Sequence, residues 1–217
     1  MPKRVMPYPL LLLLVIPLMG LLYVWINREP GQLHLLVTDL DSKIPMIKAF
    51  IVPYMIWMPF LYLTLIYFYY RDKRLYYETL IAYTVSVLIC YGVYMVFQTT
   101  VPRAELAGDD LLSRMVKFVY ANDQPFNCFP SIHCLTSYLL FHAASRSRAV
   151  SRRVLLGIGL LSWTIIVSTV FVKQHVVLDV FAGIMLAHVV LTGVQKWMGS
   201  RVRLDRSDRR QLPAGMS

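Results

Sequence analysis

Long apolar runs joined by short polar connections dominate the chain, at about 8–26, 48–70, 77–98, 132–145, 153–172 and 176–197. Most are close to the roughly 20 residues that a helix needs to cross a bilayer. The fourth run is shorter and opens inside a polar motif, so its helix is expected to start below the membrane surface. The pattern predicts an all-α fold, a polytopic bundle of six transmembrane helices. Residues 8–26 follow Lys3 and Arg4 as a secretory signal would, but the run is long enough to span and no small-x-small cleavage site follows it. It therefore reads as a retained first helix.

The connections differ in length. Residues 27–47 have room for a short interfacial helix with Leu33, Leu36 and Leu40 on one face. Residues 99–131 form the longest loop, while the link around Lys173–His175 is nearly absent. Tyr62 and the run Tyr67–Tyr70 read as an interfacial aromatic belt.

Composition agrees with a membrane protein: 57% of the 217 residues are hydrophobic and 16% are charged, against about 25% charged in soluble domains. The net charge of +10 raises the possibility of nucleic-acid binding, but the basic residues cluster at the ends of apolar runs, as helix anchors do. With the N-terminus inside, seven of the 22 lysines and arginines fall outside (Arg28, Lys43, Lys48, Arg103, Arg114, Lys117 and Lys173) and the rest inside. The positive-inside rule then predicts that both termini are cytoplasmic. No nucleic-acid partner is expected. The chain reads as one membrane-embedded domain over 1–217, with its chemistry within about 96–183 and a basic cytoplasmic tail over 198–217 that contacts anionic headgroups. Cys90, Cys128 and Cys134 are expected to be free thiols, since three cysteines make no disulfide framework.

Two polar motifs sit at helix ends on the predicted outer face. In Lys173-Gln174-His175-Val176-Val177-Leu178-Asp179, a helix begun by His175 puts Asp179 four residues on, on the same face. A carboxylate there orients one imidazole nitrogen and leaves the other for an electrophile, the logic of a nucleophilic histidine. The plain alternative is a structural His–Asp bond. In Phe129-Pro130-Ser131-Ile132-His133, Ser131 is placed to cap a helix whose free N–H groups make an anion site. His133 is then a candidate acid for a leaving oxygen; a capped helix with an incidental histidine is the alternative. Together with the cations Arg103 and Lys173, these groups suit one phosphoryl group. No Walker loop, zinc spacing or dinucleotide fingerprint occurs, so no metal and no cofactor is expected.

These motifs resemble those of the type-2 phosphatidic acid phosphatase superfamily. Its Pro-Ser-Gly-His motif is matched by Pro130, Ser131 and His133, with Ile132 for glycine. Its Ser-Arg-x5-His-x3-Asp motif is matched by Ser168, His175 and Asp179, with Thr169 for arginine. Its Lys-x6-Arg-Pro motif keeps only Arg103, with Val96 and Ala104 at the lysine and proline positions. The resemblance implies a lipid phosphate or phospholipid substrate and a metal-independent enzyme of the outer face of the membrane. It implies that His175 attacks phosphorus and forms a phosphohistidine, that Asp179 orients it and that His133 acts as acid and then base. Ser131, Arg103 and Lys173 would hold phosphoryl oxygens, with Lys173 replacing the arginine lost at Thr169 if its helix continues that far. The Thr169 and Lys173-Gln174-His175 pattern is also similar to the inositol phosphorylceramide synthase branch, which transfers a headgroup between lipids. Hydrolysis stands ahead of that transfer. A small transporter with a His175–Asp179 proton relay and a catalytically inactive scaffold are the remaining alternatives. His34, His142, His188, Asp109, Asp110 and Asp123 read as structural or solvated groups.

Overall fold

The computed structural model describes residues 8–27 and 32–211, with side chains as far as Ser200. Lys3, Arg4, Arg28 and the side chains of the basic tail lie outside the described residues. The chain opens with α1 (Tyr8–Leu11), which runs through a 3-10 turn into α2 (Val15–Ile26). A two-residue strand β1 (His34–Leu35) and the short α3 (Asp39–Lys43) follow, then α4 (Ile51–Arg71) and α5 (Lys73–Val96). After β2 (Thr99–Thr100) come α6 (Leu111–Asn122), α7 (Ile132–Arg146), α8 (Arg152–Phe171) and α9 (Val177–Gln211).

Among the described residues, five helical segments are long and apolar enough to cross a membrane: Tyr8–Ile26, Lys48–Arg71, Lys73–Val96, Arg152–Phe171 and Val177–Ser200. The expected fourth span, α7, has 15 residues. At 1.5 Å per residue it is about 22 Å long, short of the roughly 30 Å hydrocarbon layer. It sits inside the bundle. α7 packs against α4, α5, α8 and α9, and Cys134, Leu135, Leu139, Leu140, Ala143 and Ala144 are buried among them. The surrounding helices show the reverse pattern, with Leu21, Leu156, Leu160, Phe181 and Val189 exposed. Leucine faces of this extent are stable against lipid tails and costly against water.

The connecting segments correct three expectations. The interfacial helix in 27–47 is limited to Asp39–Lys43, with Leu36 outside it and Leu35 in β1, which pairs in parallel with β2. The long 99–131 loop carries the 12-residue α6, capped by Asp110, whose carboxylate accepts from the Ser113 amide at 3.1 Å. Val116 and Val119 face inward while Leu111 and Phe118 face out. Of the aromatic belt, Phe68 and Tyr69 are buried in the bundle and Tyr70 is exposed.

Candidate active site

The reversal between α8 and α9 positions His175. Helix α8 ends at Phe171, Lys173 takes a φ of +55°, and the amides of Gln174 and His175 both donate to the Thr169 carbonyl, at 3.0 and 3.1 Å. A left-handed lysine costs about 1–2 kcal/mol, and its ammonium offsets that by donating to the carbonyls of Asp41 (3.1 Å) and Ile44 (2.6 Å). The helix that would have set Lys173 on one face with Thr169 is therefore absent, and the expected return of its charge to the Thr169 position is not formed. Thr169 has no exposed surface and its hydroxyl lies 3.4 Å from Cys134 Sγ.

Asp41 completes this corner. One carboxylate oxygen accepts from the Val177 amide at the start of α9 (2.8 Å), and the other from the Thr38 amide and hydroxyl (2.8 and 2.6 Å). Burial raises its pKa, but these hydrogen bonds outweigh that and leave it below the usual carboxylate value.

His175 precedes α9 and does not lie in it, yet the expected pair forms: Nδ1 is 3.2 Å from an Asp179 oxygen that also accepts from the Val176 amide at 3.0 Å. An ionised carboxylate only accepts, so Nδ1 carries the hydrogen and Nε2 of the neutral ring keeps its lone pair. Both residues are buried.

The second motif is held against the first. Ser131 caps α7, its side chain accepting from the Cys134 amide at 3.3 Å. Its own amide donates to the Asp179 carbonyl at 3.1 Å. Gly183, one turn beyond Asp179, lets α9 approach: a Cβ there would lie 2.6 Å from the Ser131 carbonyl oxygen. Upstream, the Thr99 hydroxyl accepts from the amides of Cys128 (3.1 Å) and Phe129 (2.9 Å), and the Tyr94 hydroxyl donates to the Pro130 carbonyl (2.5 Å). The His133 ring packs against those of Tyr54 and Trp57, with centroids at 4.6 and 4.1 Å, and lies 5.7 Å from the His175 ring.

His175 borders two cavities. The larger, about 530 Å³, is lined by His133, His175 and Gln174, and by Ile16, Gly20 and Val87 among its apolar walls. Its lining includes the Asp123 carboxylate and no lysine or arginine. The smaller, about 230 Å³, lies on the Arg103, Lys173 and Asp41 side of His175. Arg103 stands over the Tyr120 ring and donates to the carbonyls of Tyr120 and Asp123 and to Gln174 Oε1, the last at 3.1 Å. Burial lowers its pKa and the Asp123 carboxylate partly restores it. Val96, at the position of the missing lysine, is 84% exposed.

His175, His133, Asp179 and Ser131 are thus brought together, Arg103 is brought close but held by protein oxygens, and Lys173 is engaged elsewhere. Asp123, read as a solvated charge, instead accepts the hydroxyls of Tyr23 and Tyr54, both at 3.0 Å. The bonds from Arg103 to Gln174, from Val177 to Asp41 and from Cys128 to Thr99 carry no local signal in the sequence, because the partners lie many residues apart. Cys90, Cys128 and Cys134 are free and buried, and burial pushes the Cys128 thiol up.

The crystal structure of Aquifex aeolicus LpxE aligns at 16% identity and a TM-score of 0.49, over 83% of this chain and 94% of that one. No curated protein matches. The PAP2 superfamily model matches residues 34–192, a span that contains all six expected site residues. The chain belongs to the PAP2 superfamily.

Proposed function

We propose that this protein is an integral membrane phosphohydrolase that cleaves a lipid phosphate through a phosphohistidine at His175. The observation that carries the reading is the His175–Asp179 pair beside His133, on a cavity whose walls also include the apolar residues Ile16, Gly20 and Val87. A polar headgroup at the histidines and an aliphatic chain along Ile16, Gly20 and Val87 match that division.

The His175 Nε2 lone pair attacks phosphorus, the bond from phosphorus to the lipid oxygen breaks, and His133 gives that oxygen its proton. Neutral His133 then takes a proton from water as the water oxygen attacks phosphorus. The N–P bond breaks, phosphate leaves and His175 returns to its starting state. The free N–H groups at the start of α7 support charge on the phosphoryl oxygens. No step calls for a metal, so the rate in excess chelator should equal that without it. Loss of activity restored by a divalent ion would contradict this.

A second reading, headgroup transfer between lipids, has one observation in its favour. The larger cavity holds a carboxylate and no cation, a better match to a singly charged diester than to a monoester. Product analysis after incubation with lipid phosphates and diesters, with and without an acceptor alcohol, separates the two: free phosphate marks hydrolysis, a new phospholipid marks transfer. No product from any lipid would refute both.

We also place α7 as a sixth span within the bundle, both termini in the cytoplasm, and the site on the extracytoplasmic face, all within one domain over 1–217. The charge distribution supports this orientation. A cysteine at 109 should react with a membrane-impermeant thiol reagent in intact cells, and one at 148 only after permeabilisation. Cys128 is too buried to serve as the probe. The reverse labelling would move the site to the cytoplasmic side.

A further inference from the structure

Among the described residues, six buried side-chain polar atoms lack a hydrogen-bond partner, and three of them surround His175: Arg103 Nε, Gln174 Nε2 and Asp179 Oδ1. An unpaired buried polar atom costs about 1–3 kcal/mol, and two of these three, Arg103 Nε and Gln174 Nε2, are donors beside a reactive group, which calls for an acceptor ligand. Gln174 is the informative member. It is 4% exposed, borders the larger cavity with His133 and His175, and immediately precedes His175 in the chain.

The orientation of its amide follows from chemistry. Arg103 Nη2 lies 3.1 Å from the Gln174 amide, and a guanidinium only donates. The oxygen must therefore face Arg103, which leaves the NH2 group, with two donors, on the side without a partner. Arg103 in turn is committed to the carbonyls of Tyr120 and Asp123. Its charge polarises the amide and increases the donor strength of Nε2.

We propose that Gln174 Nε2 donates a hydrogen bond to a phosphoryl oxygen of the substrate at His175, and that Arg103 acts through Gln174 as a positioning residue. The proposal rests on the phosphoryl-transfer reading above. It assigns the oxygen-binding role left open by Lys173 and Thr169 to a neutral donor.

Gln174→Glu is the discriminating substitution. It keeps an oxygen toward Arg103, and so keeps the local packing, but replaces the free donor by a second acceptor. Gln174→Met removes the donor without adding charge. Both variants are purified as full chains, their thermal stability is compared with wild type, and orthovanadate binding is measured by calorimetry beside steady-state kinetics on a lipid monoester and a diester. Each variant should bind vanadate about ten- to a hundredfold more weakly and lose kcat/KM to a similar extent. The Glu variant should lose more on the doubly charged monoester than on the diester, a difference that a purely structural role does not produce. Wild-type vanadate affinity in both variants would overturn the proposal. Vanadate binding that depends on Gln174, in a protein that turns over no lipid phosphate, would instead refute the functional reading and leave the assignment of Gln174 standing. A wild-type protein that binds no vanadate and turns over no lipid would overturn both.

Discussion

His175→Ala should leave a folded, inserted protein whose turnover of a lipid phosphate falls by about 10⁴-fold or more, as expected when a covalent nucleophile is removed. The expectation follows from the tautomer. Asp179 fixes the hydrogen on Nδ1, so Nε2 is the one His175 ring nitrogen with a lone pair. Asp179→Asn should slow turnover by on the order of 10²–10⁴-fold, because an amide can donate to Nδ1 and reverse the tautomer. The loss should appear in kcat with little change in thermal stability. Near-normal kcat in His175→Ala would remove the nucleophile assignment, and equal rates for wild type and Asp179→Asn would remove the orienting role.

The second large effect is expected at a residue without a functional group. Gly183→Ala places a methyl 2.6 Å from the Ser131 carbonyl oxygen and 3.2 Å from the Leu135 amide nitrogen. Both are backbone atoms near the start of α7, so no side chain can swing aside. Helices α7 and α9 must separate, which stretches the bond from the Ser131 amide to the Asp179 carbonyl and moves His133 away from His175. Overpacking of this kind costs about 1–3 kcal/mol of stability, and a displacement near 1 Å between reacting groups costs about a hundredfold in rate. Gly183→Ala should therefore lower both the melting temperature and kcat, whereas Gly193→Ala, with open space around its Cβ position, should alter neither. A Gly183→Ala protein as active and stable as wild type would show that the close approach of α7 and α9 is not required.

These two sites differ in how far the sequence reveals them. His175 and Asp179 are four residues apart and bond to each other, so a local motif contains both. Pro130, Ser131 and His133 are readable for the same reason. Gly183 is visible in the sequence as a small residue one turn past Asp179, but its neighbours, Ser131 and Leu135, lie on another helix about 50 positions earlier, and only packing reveals them. The contacts of Gln174 with Arg103, of Asp41 with Val177 and of Thr99 with Cys128 are silent for the same physical reason: the partners are distant in sequence. Helix α6 was open to detection. Leu112, Met115, Val116 and Val119 recur at helical spacing, but Arg114 and Lys117 between them lower the average hydrophobicity and give the segment the look of a loop. The expectation for Lys173 depended on α8 continuing past Phe171. The chain instead reverses within three residues, and the Asp41 and Ile44 carbonyls take up the ammonium.

The covalent step is open to direct measurement. Purified protein is incubated briefly with a lipid phosphate labelled at phosphorus and quenched in alkali, which preserves phosphohistidine and hydrolyses most acyl phosphates. The digest is then mapped. The predicted result is an alkali-stable, acid-labile label on the peptide containing His175, present in wild type and absent from His175→Ala. Steady turnover of the same lipid with no labelled histidine, or with the label on another residue, would contradict a phosphohistidine at His175.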